Sequence, residues 1–300
     1  MSKILYTMAF AAGILCSLKP ASGQDALTMQ DINFNTINYN SAFTIEKNEV
    51  FGASLTNTTG GGIQDAGQIN FMAYTQLKSA DLALGTRVNS KYFGFLRTSN
   101  FELNTAKKIQ LNSSSAFLAS IGVGMQFSAL RSGEFNEFVD QGDPIFNNDE
   151  FPQYRFTFSF GLGYIWKNLS VGLSMPAFAK TESNLNPIYI QNTSYKYEAS
   201  EDIVIHPQLL LFGSDVKAIT GELSAKAEYK ERVWLKAGYR SSNTFVGGLG
   251  VMVSGIDIGY AYNAFFQEFN AVVPATHNIN LTFRIITGGT EAAGRKYQLD

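Results

Sequence analysis

A chain of 300 residues with a formal charge of −2, 16% charged residues and no basic block lacks the electrostatic footprint of a nucleic-acid-binding protein. Its mean hydropathy of −0.04 and the absence of long apolar runs after the N-terminus exclude a bundle of membrane helices. Yet 24 Phe, 14 Tyr and 27 Gly are a heavy load for a soluble domain, and suit a strand-built membrane wall whose lumen-facing residues cancel its lipid-facing ones in any average.

The N-terminus, MSKILYTMAFAAGILCSLKPASG, has the parts of a secretory signal peptide. Lys3 supplies the positive start, residues 4–18 the apolar core, and Ala21, Ser22 and Gly23 the small-residue cleavage site. The apolar run is too short to span a bilayer as an anchor. A lipoprotein signal would need a small residue before Cys16, and Leu15 is not small. Residues 1–23 are therefore expected to be removed by cleavage near Gly23, and residues 24–47 to form a periplasmic N-terminal segment. Cys16 is the only cysteine, so the mature chain is expected to have no disulfide and no thiol chemistry.

From residue 48 the hydrophobic period is two. The predicted strands, in chain order, are 48–56, 67–78, 80–89, 97–108, 114–130, 153–167, 168–175, 188–198, 202–213, 217–229, 231–240, 243–253, 255–263 and 276–285. Within the second, Ile69, Phe71 and Ala73 oppose Asn70, Met72, Tyr74 and Gln76; within the third, Leu82, Leu84 and Val88 oppose Ala83, Gly85 and Arg87. The sixth contains YRFTFSFGLGYIW, in which Tyr154, Phe156, Phe158, Phe160, Leu162, Tyr164 and Trp166 lie on one face. Arg155, Thr157, Ser159, Gly161, Gly163 and Ile165 lie on the other. That run is about twice the usual soluble strand. Its small wet face and terminal aromatics match a transmembrane strand with a girdle at each interface. The eleventh strand sets Val233, Leu235, Ala237 and Tyr239 against Trp234, Lys236, Gly238 and Arg240.

Connections at 78–80, 167–168, 199–201, 230–231 and 254–255 read as tight turns, and those at 57–66, 131–151, 176–187 and 265–274 as long loops. Short and long alternate through most of the chain, as short periplasmic turns and long external loops do in the outer membrane. The sequence thus predicts an all-β fold: a transmembrane, antiparallel, up-and-down β-barrel of about 14 strands over 48–285, followed by a polar C-terminal tail over 286–300.

The inward face of this barrel carries Arg87, Arg155, Glu222, Lys226, Glu228, Lys236, Arg240, Asp257 and Arg284. Selective pores tend to carry one sign of charge. Mixed signs favour a plugged lumen whose charges pair across strands, since unpaired charge in a poorly hydrated interior is costly. In the longest loop, VDQGDPIFNNDEF brings together Asp140, Asp143, Asn147, Asn148, Asp149 and Glu150. These oxygen ligands lack EF-hand spacing, so no metal site is assigned. The loop, through Asp140, Asp143, Asn147 and Asp149, is instead the candidate partner surface. His206 is expected in the lumen and His277 at the membrane rim. Neither sits in a catalytic motif, and no cofactor is expected.

The run GDPIFNNDE, leading into RFTFSFGLGYIWKNLSVGLSMPAF, is followed by DIVIHPQLLLF, VWLKAGYRSSNTFVGGLG, IDIGYAYN and ATHNINLTF. This succession resembles the PorP/SprF family of type IX secretion system membrane proteins, over roughly residues 53–285. The chain departs at Ala275, Thr276, His277 and Asn278, where the family often has Gly-Ser-His-Glu, and at Asn263, where it often has Asp. The resemblance implies an outer-membrane barrel of the type IX secretion and gliding motility machinery. It also implies partners among periplasmic lipoprotein and ring components, in some members a surface adhesin, and no enzyme activity. The expected role is an anchor and docking platform. The alternative is a passive channel for a small or apolar solute.

Overall fold

The structure, a computed structural model, describes residues 36–46, 50–59, 66–93, 96–130, 152–179, 188–213, 219–266 and 275–284. The expected signal peptide, the loop 131–151 and the tail 286–300 lie outside them. Fifteen strand segments run in chain order: β1 Val50–Thr59, β2 Ala66–Leu77, β3 Leu82–Phe93, β4 Leu96–Asn112, β5 Ser115–Leu130, β6 Gln153–Trp166, β7 Leu169–Ala179, β8 Tyr189–Tyr195, β9 Tyr197–Glu198, β10 Ile203–Gly213, β11 Thr220–Tyr229, β12 Val233–Arg240, β13 Thr244–Val253, β14 Ile256–Phe265 and β15 Ala275–Arg284. β8 and β9 are one stave interrupted at Lys196. Their pairing with β10 keeps its register across the gap, from Gln208↔Ser194 to Ile205↔Tyr197. The break falls beside Pro207, which has no N–H to donate.

Every stave pairs antiparallel with its neighbours, and β15 returns to β1 from Thr59↔Ala275 to Val50↔Arg284. The result is a closed barrel of 14 staves with no open edge, the one sheet form that satisfies its backbone within lipid. The alternation of sequence becomes an inside-out burial pattern. On β12, Val233, Leu235 and Tyr239 are exposed, while Trp234, Lys236 and Arg240 are buried. A wall that buries its charges and exposes Phe156 at 78% faces lipid, not water. Tyr154 and Trp166, at opposite ends of β6, supply the aromatics of the two rims.

Most of the described tight turns lie at one end of the barrel. Between β13 and β14, Ser254 and Gly255 both have positive φ, 50° and 85°. That two-residue turn matches the twist of the strands it joins. A turn at 113–114 joins β4 to β5 at the same end. Most strands begin and end within a few residues of the sequence reading. β7 departs from it: Pro176, expected to open a loop, lies within the strand. The β6–β7 register shifts between Phe158 and Phe160, and such an irregularity admits a residue that cannot donate to the ladder.

The larger departure concerns the expected periplasmic segment 24–47, because residues 36–46 are inside the barrel. They form two 3₁₀ turns, Thr36–Asn38 and Ser41–Glu46, with Ile37 and Ala42 wholly buried. Ala42, Phe43 and Ile45 pack on Ala83, Ala106, Leu118 and Ile165 toward the turn end. Tyr39 packs on Ile190, Leu210 and Phe212. Ile37 meets Met72 and Tyr74. The apolar core therefore lies between this segment and the inner wall, where the segment finds the partners it would lack outside.

Candidate functional site

The small residues on the inner face of β6 and β7 shape the seat of the segment. A Cβ on Gly172 would come within 2.7 Å of both Asn40 Nδ2 and Phe43 Cε2. One on Gly161 would strike the Asn40 carboxamide. Into this space Asn40 donates to the carbonyl of Leu162 at 2.9 Å and, at 3.5 Å, to that of Leu173. Ser41 Oγ donates to Ser120 Oγ at 2.9 Å, and Gln76 Nε2 donates to the Ile45 carbonyl at 2.5 Å. At the turn end Lys108 and Glu46 form an ion pair at 2.9 Å.

Arg87 crosses the lumen from β3. Its Nη2 pairs with Glu102 at 2.8 Å and reaches the Pro176 carbonyl of β7 at 2.6 Å, while its Nη1 donates to the Asn38 carbonyl at 2.6 Å. A single guanidinium thus joins β3, β4, β7 and the inner segment through its planar fork. Glu102 was not among the residues singled out from sequence. Its signal was available, since Arg87 and Glu102 are direct partners in the β3–β4 register.

The sequence-predicted lumen charges fall into two groups on the opposite wall. In the first, Glu222 pairs with Arg240 at 2.7 Å and Lys236 at 3.3 Å, all three deeply buried, with Arg240 over the Phe212 ring. A cavity of about 20 Å³, room for one water, adjoins them and is lined by Thr36, Tyr39 and Gln208 among others. In the second, Glu228 lies 2.7 Å from Lys226 and 3.5 Å from His206, which faces the lumen as expected. Lys226 stacks over Trp234, whose Nε1 donates to Asp257 at 3.0 Å. Arg155 stands apart at the loop end and donates to Gln153 at 2.5 Å. The backbone of Arg284 closes the seam with β1; its side chain lies outside the described residues, as do Asp140, Asp143, Asn147 and Asp149. The network expected from sequence is thus local pairs and a triad rather than one continuous array.

Between these groups, β14, β15, β1 and β2 turn uncharged amides and hydroxyls inward. Asn278 donates to Thr56 at 2.6 Å, Asn263 to Thr276 at 3.0 Å, and Asn70 to Ser54 at 3.2 Å. None of these groups titrates, so only the inward phase of the strands marks the ladder in the sequence. His277 faces outward, its Nδ1 2.5 Å from the Tyr260 hydroxyl and its ring beside Tyr262, in the amphipathic setting of a membrane rim. Among the described residues, no group of three His, Cys, Asp or Glu side chains is placed to hold a metal ion. The arrangement fills and braces a lumen, and its chemistry is hydrogen bonding and charge pairing.

A family model described as "Type IX secretion system membrane protein PorP/SprF" matches residues 21–283. No curated protein matches the chain. Among solved structures, the Acinetobacter baumannii outer membrane protein Omp33 is similar at 8% identity and a TM-score of 0.50, over 80% of this chain and 98% of that one. The Pseudomonas putida toluene transporter TodX is similar at 12% identity and a TM-score of 0.50, over 84% and 94%. At such identities the likeness is one of fold, that of outer-membrane barrels.

Proposed function

Since the chain belongs to the PorP/SprF family of type IX secretion system membrane proteins and forms an outer-membrane barrel, we propose that it serves that machinery as an anchor and docking platform. The barrel fixes position in the outer membrane. Periplasmic lipoprotein and ring components bind at the turn end, and the loop holding Asp140, Asp143, Asn147 and Asp149 meets an external partner such as a surface adhesin. A cleaved signal peptide ending near Gly23 delivers the chain, and no catalytic step is assigned to it.

The observation that carries this reading is the occupied lumen. Residues 36–46 fill the interior toward the turn end and bind its walls by directed hydrogen bonds, which favours a component that binds over one that conducts. The competing reading, a passive channel for a small or apolar solute, draws only on the fold it shares with a transporter. Affinity purification from crosslinked membranes, followed by mass spectrometry, tests the proposal. Periplasmic secretion components should be enriched over a control barrel of the same membrane. Recovery of the barrel without any of them would count against the docking role.

A further inference from the structure

We propose that residues 36–46 are a releasable plug, and that the barrel without it is a water-filled conduit for small hydrophilic solutes. The wall does not depend on the segment to neutralise its buried charge. Arg87 has Glu102, and Lys236 and Arg240 share Glu222. The segment brings one charged side chain to the described lumen, Glu46, and its lysine partner lies at the turn-end mouth with both side chains 29% exposed. Withdrawal therefore strands no buried ion, the step that would make it prohibitive.

Apart from the Glu46–Lys108 ion pair at the mouth, the contacts described above are neutral or backbone-directed: Asn40 to two strand carbonyls, Ser41 to Ser120, Gln76 to the Ile45 carbonyl, and Arg87 to the Asn38 carbonyl. Each is a bond that water can replace at small net loss. The apolar packing is confined to a few side chains, chiefly Ile37, Tyr39, Phe43 and Ile45. Two short 3₁₀ turns, less favourable than α-helix, have little structure of their own to lose. The inner wall is polar elsewhere. The amide and hydroxyl ladder of β14, β15, β1 and β2 carries no net charge, and Ser120, Ser174 and Asn192 continue it on β5, β7 and β8. A ring of 14 staves is close to the width at which a barrel holds an aqueous channel.

Ser41 and Ser120 offer the test, because their hydroxyls lie 2.9 Å apart and a cysteine pair there brings two thiols together. In a Cys16→Ser background, four full-length proteins are reconstituted in planar bilayers in potassium chloride: the parent, a deletion of residues 36–46, Gly172→Val, and Gly172→Val combined with Ser41→Cys and Ser120→Cys. Valine at 172 invades the seat of Asn40 and Phe43 and also crowds Asn192 of β8, so its barrel closure is established before its conductance is read. Heat-modifiable migration in detergent gels shows which variants have closed barrels. The parent should be silent, and the deletion and Gly172→Val should show stable conductance steps. The oxidised cysteine variant should be silent and should open on reduction. A folded deletion variant that stays silent overturns the proposal; so does a parent that conducts steadily, or an oxidised cysteine variant that conducts as Gly172→Val does. If the deletion fails to fold, Gly172→Val decides by the same criteria. Liposome swelling in arabinose, parent against Gly172→Val, shows whether the conduit admits a neutral solute; no gain in swelling overturns the solute assignment.

Discussion

Arg87 shows how one side chain can hold a membrane protein together from within. Glu102, 1% exposed, has Arg87 as its ionic partner, with Asn104 donating at 3.3 Å. Arg87→Ala should cost about 3–5 kcal/mol, because it leaves a buried carboxylate without its cation. Adding Glu102→Ala should recover part of that loss. Urea unfolding of the four proteins of this cycle in lipid vesicles gives the coupling, and an Arg87→Ala cost below about 1 kcal/mol would mean that water reaches Glu102. The sequence placed Arg87 in the lumen by phase alone. It did not give the role of Asn40, whose acceptors lie 122 and 133 residues away, because such a contact leaves no periodic trace. Nor did it show why Gly161 and Gly172 are small: the alternation marks them as inward, and the seated segment, together with Ser120 and Asn192 of the wall, takes up the space.

Strands were the most legible level, because burial on one face and lipid on the other impose a period of two on each stave. Ile258 on β14 is 48% exposed, and Gly259 beside it is buried. Ile258→Arg puts a cation against lipid and should cost about 2–4 kcal/mol if the site lies near the midplane. Gly259 marks the opposite, buried face; Asn263→Ser, also inward, should cost less than the arginine. Unfolding in bilayers checks the contrast, and equal effects would contradict the inside-out assignment. Where reading by strand failed, the cause was local. Pro176 looked like a stop, but a register irregularity absorbed it, and residues 36–46 form turns with no period to detect.

At the scale of the whole molecule, the two ends of the barrel differ. Tight turns such as 113–114 and 254–255 lie at one end, and 241–243 lies at the other. If the turn end faces the periplasm, Ser242→Cys should react with a membrane-impermeant maleimide on intact cells. Ser113→Cys should react only after permeabilisation, and the reverse pattern would invert the barrel. Closure and strand number were readable because edges are not tolerated in lipid. The contents of the lumen were not, since filling a cavity is a matter of shape between segments far apart in the chain.

The seam between β1 and β15 joins the first of the described strands to the last. The wall therefore has no final hydrogen-bonded ladder until the C-terminal strand arrives, while residues 36–46 come before every strand in order of synthesis. The segment does not have to enter a finished cylinder; the sheet can curl around it, with the apolar side chains of Phe43 and Ile45 offering a surface on which β3, β4 and β5 gather. A chain cut short before residue 275 would lack the seal, leaving the edges of β1 and β14 open to pair with another copy.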